Sequence, residues 1–163
     1  MTYLENPDKT LLKTIPQIGK VDWIGIRSEK KGGISSIESV IVKKYSGLEG
    51  DHFKGSSSGK RQVTLIQNEH LTVLANILGK KSIDPKLTRR NIVVSGINLL
   101  SLKDQQFSIG DVILETTGIC APCNLMETNL GKGGYNAMRG HGGITAQVIS
   151  EGRLKLGDKV ELL

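Results

Sequence analysis

Apolar positions recur along this chain with two periods, and most of them follow the shorter one. Alternating or continuous β-branched and apolar runs predict strands over Gly19 to Ile26, with Val21, Trp23, Ile24 and Ile26, and over Ile37 to Tyr45, with Val40, Ile41 and Val42. Lys30-Lys31-Gly32-Gly33 between them reads as a turn, so the two are expected to pair as a hairpin. Trp23 lies inside this apolar pattern and is therefore expected in the core or at its rim rather than as a stacking platform. Further strands are predicted at 61–66, 91–96, 112–117 and 143–150. The helical period appears once, at Glu69 to Leu78, where Leu71, Leu74, Ala75 and Leu78 fall on one face behind a candidate cap at Asn68 and before a stop at Gly79. His70, beside that stripe, reads as core packing. The first eighteen residues show no period and are broken by Pro7 and Pro16, so they read as a loose lead-in.

Two short stretches repeat each other. Phe107-Ser108-Ile109-Gly110-Asp111-Val112-Ile113-Leu114 and Leu154-Lys155-Leu156-Gly157-Asp158-Lys159-Val160-Glu161-Leu162 each place a Gly-Asp turn or bulge between apolar strands, as closing units of small barrels do. The predicted architecture is mainly β: an antiparallel barrel with one main helix and short helical excursions, as a single domain over residues 1–163.

Composition narrows the function. A chain of 163 residues is long enough to bury a proper core. The amino end is too polar for a secretory signal, no window reaches membrane-spanning length, and only two cysteines occur, so a soluble protein of the reducing cytoplasm is expected. The formal charge of +6 invites a nucleic-acid reading, but one Trp, three Tyr and two Phe leave few stacking platforms. A small phosphorylated ligand, or simply a solvated lysine-rich surface, accounts for the charge as well.

The candidate chemistry lies in Gly118-Ile119-Cys120-Ala121-Pro122-Cys123-Asn124-Leu125, which holds both cysteines directly after an apolar strand. A thiol there can ligate a soft metal or carry sulfur. Structural zinc would need two more ligands from His52, His70 and His141, which have no paired spacing. A thioredoxin-type pair would need a long helix, yet Gly131-Lys132-Gly133-Gly134 comes too soon. Two inert small hydrophobes remain a further alternative. Upstream, 47–59 is a long polar, glycine-rich loop without the Gly-Lys-Ser/Thr ending of a phosphate loop. In it, Asp51 and His52 form either a hydrogen-bonded pair or a turn aspartate beside a solvated histidine. Arg61 is a cation at the loop's edge. Lys80, Lys81, Lys86, Arg89 and Arg90 make the most basic segment, in which alternation sends Arg89 and Arg90 to opposite sides and leaves Arg90 solvated.

Taken together, Gly-Leu-Glu-Gly-Asp (47–51), Arg-Gln-Val-Thr-Leu-Ile (61–66), Thr-Arg-Arg-Asn-Ile-Val-Val-Ser-Gly (88–96), Phe-Ser-Ile-Gly-Asp (107–111), Cys-Ala-Pro-Cys (120–123) and Leu-Gly-Asp-Lys-Val (156–160) resemble the MOSC domain, the carboxyl-terminal module of molybdenum cofactor sulfurases. The resemblance implies a β-barrel that occurs alone in bacteria, fused to a pyridoxal phosphate-dependent cysteine desulfurase in the sulfurases, or holding the pterin-molybdenum cofactor in amidoxime-reducing proteins. It implies Cys123 as the working thiol and molybdenum ligand, and the family's Arg-x-Asn falls on Arg89 and Asn91. Arg61, Ala121, Asp51 and His52 complete the candidate cofactor-binding set. The first expectation is a molybdenum-dependent oxidoreductase that reduces N-hydroxylated small molecules with electrons from a donor protein. The alternative is a sulfur carrier that takes a persulfide on Cys123 from a partner desulfurase, with Cys120 resolving it as a disulfide. A nucleic-acid-binding barrel ranks last.

Overall fold

A computed structural model describes residues 8–30, 32–52 and 59–163. Its strands are β1 (Gly19–Ile26), β2 (Ser35–Ile37), β3 (Ser39–Lys43), β4 (Gly47–Leu48), β5 (Val63–Gln67), β6 (Ile92–Ser95), β7 (Gln106–Ile109), β8 (Val112–Ile119), β9 (Ile144–Ser150), β10 (Gly152–Lys155) and β11 (Lys159–Leu162). The order β11-β7-β8-β9-β5-β6-β1 closes on itself through β1–β11 pairing, so these strands form a barrel, with β2 added outside the ring against β1. A separate small sheet, β10-β3-β4, stands beside it.

The predicted strand over 37–45 is divided at Glu38. Its first part pairs with β1, as the expected hairpin requires, but β3 turns away to pair with β10. The barrel also departs from a purely antiparallel one, because β5 and β6 run parallel. The reason is the helix between them: α2 (Asn68–Ile77) crosses over between two strands of the same sheet, and such a crossover returns the chain parallel. The helix starts one residue earlier than its pattern predicts. Gln67 takes the cap position without a side-chain cap bond, and the Asn68 amide instead donates to Asp22. At the other end Gly79, with φ +64, lets Lys80 N–H reach back to the Ala75 carbonyl.

Burial on β5 and β6 is two-sided. Leu65, Ile92 and Val94 point into the barrel with Phe107, Ile109 and Leu114, whereas Ile66 and Val93 face outward into a second core. That second core contains Leu71 and Leu74 of α2, Met126 and Leu130 of α3 (Asn124–Leu130), and Ala137 and Met138 of α4 (Gly134–Met138), and Trp23 packs at its margin. Strands buried on both faces read as continuous apolar runs, which is how 63–66 and 92–94 appear in the chain.

The two Gly-Asp repeats do different work. Gly110-Asp111 is a two-residue hairpin turn between paired Ile109 and Val112, with φ +55 at Gly110. Gly157-Asp158 instead docks on β1: Gly157 N–H donates to the Val21 carbonyl, and Val21 N–H donates back to the Asp158 carbonyl. It is the corner that carries the chain from the small sheet to the barrel. The lead-in contains a four-residue helix, α1 (Lys9–Leu12), and Ile15 packs on the barrel core. Among the described residues no helix is long and apolar enough to cross a membrane.

Candidate functional site

One cavity of about 170 Å³ gathers five of the predicted site residues, Asp51, His52, Arg61, Arg89 and Asn91, together with Arg27 and Arg90. It lies where β1 ends, where β5 and β6 begin, and where the glycine-rich loop starts. The described part of that loop is less loose than its composition suggests. Gly47–Leu48 is a short buried strand, and a Cβ on Gly47 would lie 2.3 Å from the Gln62 carbonyl oxygen. Residues 53–58 lie outside the described residues.

Asn91 is the junction of the wall. Its Oδ1 accepts from the Thr64 N–H and hydroxyl, both at 3.1 Å, while its Nδ2 donates to the Gly25 carbonyl at 3.3 Å and to Asp51 Oδ2 at 3.1 Å. Asp51 Oδ1 in turn accepts from the Arg27 N–H at 2.8 Å, and the His52 N–H donates to the Arg27 carbonyl. Of the two alternatives for Asp51 and His52, the side-chain pair is not made, since Asp51 spends its oxygens on Asn91 and on backbone. What remains open is a pair of side-chain nitrogens. Arg27 Nε and His52 Nε2 are buried without a hydrogen-bond partner among the described residues, and both residues line the cavity. A buried guanidinium N–H of this kind calls for an acceptor.

Arg89 and Arg90 share the site despite being adjacent. Arg89 follows a short 3₁₀ turn, Pro85–Thr88, and adopts a left-handed conformation at φ 59. The alternation of an extended chain thus does not apply, and the solvated Arg90 expected from it is overturned: Arg90 is 6% exposed. Its Nε donates to the Gly142 carbonyl at 2.8 Å, Nη1 to Thr88 at 2.9 Å, and Nη2 to Cys120 at 3.1 Å and Ala121 at 3.4 Å. Burial pushes this guanidinium below its ordinary value, the electrostatic influence of the neighbouring Cys120 and then Cys123 acts the other way, and Arg61 adds to the downward push. An arginine stays charged through such a shift.

Cys123 is exposed and caps the amino end of α3 with its carbonyl, which accepts from Met126 N–H. Cys120 is buried, its N–H held by the Gly143 carbonyl at 2.9 Å. Neither cysteine lines the cavity, nor does Ala121, whose carbonyl accepts from the cavity residue Arg90. Both thiols are free. Among the described residues no three His, Cys, Asp or Glu side chains cluster in reach of one metal ion.

A MOSC domain model matches residues 46–161. The chain belongs to the MOSC domain family. Solved structures resemble this MOSC protein over most of their length: the YUAD protein from Bacillus subtilis has 21% identity, a TM-score of 0.77 and coverage of 91% of this chain and 97% of that one. YiiM from Geobacillus stearothermophilus has 14% identity, a TM-score of 0.73 and coverage of 89% and 75%. YiiM from Escherichia coli has 15% identity, a TM-score of 0.67 and coverage of 88% and 69%. At these identities the likeness speaks for the barrel, not for its chemistry. No curated protein matches the chain.

Two members of this MOSC site were missed in the sequence. Arg27 had a signal, as a cation directly after an apolar strand, like Arg61 at the edge of its loop. Arg90 had none, because its role depends on a left-handed residue before it.

Proposed function

We propose that the chain binds the pterin-molybdenum cofactor, with the terminal phosphate in the cationic cavity and Cys123 as molybdenum ligand, and reduces N-hydroxylated small molecules. The observation that carries this reading is the unpartnered guanidinium donor Arg27 Nε, with the likewise unpartnered His52 Nε2, in a cavity also lined by Arg61 and Arg89. Guanidinium groups bind phosphate through charge-assisted, often bidentate bonds, and a thiolate suits molybdenum. The fit is to the anionic end group alone: about 170 Å³ lies below the roughly 300–1,000 Å³ of pockets that enclose a whole drug-sized ligand. The rest of the cofactor would extend outward toward the cysteine loop. Asn91, whose amide is engaged on Thr64, Gly25 and Asp51, serves here by holding the wall rather than by meeting the pterin directly. When bound, molybdenum supplies two-electron chemistry: two electrons from a separate donor protein and two protons convert R–NHOH to R–NH2 and water.

A second reading draws on the exposure of Cys123 and its place outside the cavity. In it Cys123 is a sulfur carrier: its thiolate attacks the outer sulfur of a desulfurase persulfide, the S–S bond breaks, and the partner leaves as a thiolate. Cys120 is buried, so its closing a disulfide with Cys123 would require the loop to open.

Metal analysis of protein made in a molybdate-supplied, cofactor-competent host tests both. Stoichiometric molybdenum in the wild type, lost in Cys123→Ser, is expected. Absence of molybdenum together with a cyanide-labile sulfur on Cys123 selects the carrier.

A further inference from the structure

Arg90 is a buried cation without a carboxylate partner among the described residues. Its contacts are all carbonyl oxygens, drawn from three separate segments: Thr88 before β6, Cys120 and Ala121 after β8, and Gly142 before β9. A buried charge that carbonyl dipoles alone offset is a costly arrangement for mere cohesion. Neighbouring backbone is cut away to permit it: a Cβ on Gly142 would lie 2.2 Å from the Cys120 carbonyl oxygen and 3.2 Å from Arg90 Nη2. The same side chain lines the cavity, where an anion would supply the missing countercharge.

We propose that Arg90 is a positioning residue that couples the cavity to Cys123, so that an anion in the cavity changes how readily Cys123 reacts. One end of the guanidinium fixes the path of the loop through the carbonyls of Cys120 and Ala121, the second of them two residues before Cys123, and the same side chain lines the cavity. An anion in the cavity that engages this guanidinium fixes it, and with it the loop that carries Cys123, so the thiol reaches an attacking geometry less often. The proposal rests on the anion-binding reading of the cavity but not on molybdenum.

The test is the rate of thiol alkylation in cofactor-free protein, with peptide mapping to separate the two cysteines and inorganic phosphate as the probe. In the wild type, Cys123 is expected to react first, Cys120 to stay protected, and phosphate to slow Cys123 saturably by about fivefold, the lower range of ordinary coupling between sites. Arg89→Ala should remove the phosphate effect and leave Cys120 protected. Arg90→Met should remove the effect and also expose Cys120. Arg90→Lys keeps a charge without the fork, so it should expose Cys120 while retaining part of the phosphate effect. If Arg90→Met does not fold, Gly142→Ala displaces the Cys120 carbonyl and should likewise expose Cys120. A wild type indifferent to phosphate, or a folded Arg90→Met protein with Cys120 still protected and the effect intact, overturns the proposal. Neither result bears on molybdenum content, and a protein without molybdenum leaves the coupling standing.

Discussion

The wall of the cavity and the loop that bears Cys123 belong to one site but are held by different means. The wall is continuous with the barrel: Asn91 joins Thr64 of β5, Gly25 of β1 and Asp51 after β4, next to the parallel β5–β6 ladder. The loop has no ladder beyond Ile119, and Cys120 and Ala121 hang on one guanidinium and one backbone bond to Gly143. A substitution in the wall should therefore cost stability. One in the loop should change the geometry of the thiol and leave the fold largely standing.

The strongest break lies where the two meet. Gly143 has φ +83, and a Cβ there would lie 1.8 Å from the Leu65 carbonyl oxygen, so Gly143→Ala should cost on the order of 4 kcal/mol in denaturant unfolding. A loss below about 1 kcal/mol would show that the backbone yields there. Next is Asn91→Ala, which leaves Thr64 N–H and Asp51 short of partners and should cost about 2–3 kcal/mol in the same measurement.

Arg89 sharpens the comparison, because its two effects run in opposite directions. Its left-handed backbone is strained for any residue but glycine, asparagine or aspartate, so Arg89→Gly should raise stability by about 0.5 kcal/mol, the relief less the entropy glycine adds to the unfolded chain. The same change should weaken phosphate binding in calorimetry by about tenfold or more, as a lost charge-assisted contact does. Destabilisation with unchanged binding would mark Arg89 as a structural residue only.

The smallest effect is a pH dependence. His70 and His141 stand edge to face with centroids 5.2 Å apart, and burial, then the neighbouring His141, holds His70 below its usual 6.5, with Glu69 opposing. The unfolded chain then takes up a proton before the folded one does, so stability is full above about pH 6.5 and declines as pH falls below it. His70→Gln should flatten the decline in urea midpoints taken between pH 7.5 and 5. An unchanged slope would locate it in other groups.

Much of this was legible in the chain. The bounds of β1 and the face of α2 follow from periodicity, since each buries one regular set of side chains against the barrel. The break at Glu38 was not, because Ile37 and Val40 look the same whether they pair with β1 or β10. The parallel pair shows in the sequence only as strand, helix, strand, an order that does not by itself fix the direction of the second strand. At the site, residue types pointed to Arg61, Arg89, Asp51, His52 and Asn91, and the fold brings them to one cavity. Arg90 stayed hidden for a physical reason: its partners are carbonyls, which any sequence supplies, and its direction depends on one backbone angle.

The ring is closed by β11 lying against β1, with Gly19 opposite Val160. Until β11 has emerged from the ribosome, β7 and the Gly19–Lys20 end of β1 present unpaired strand edges to solvent, since β2 covers only the Ile24–Ile26 end of β1. Such distant pairing makes for slow folding and a prolonged interval in which an open sheet can recruit a foreign strand. Synthesis of this barrel should accordingly depend on chaperones more than its size suggests, and a nascent chain stalled before Lys159 should be caught by proteases as an open sheet.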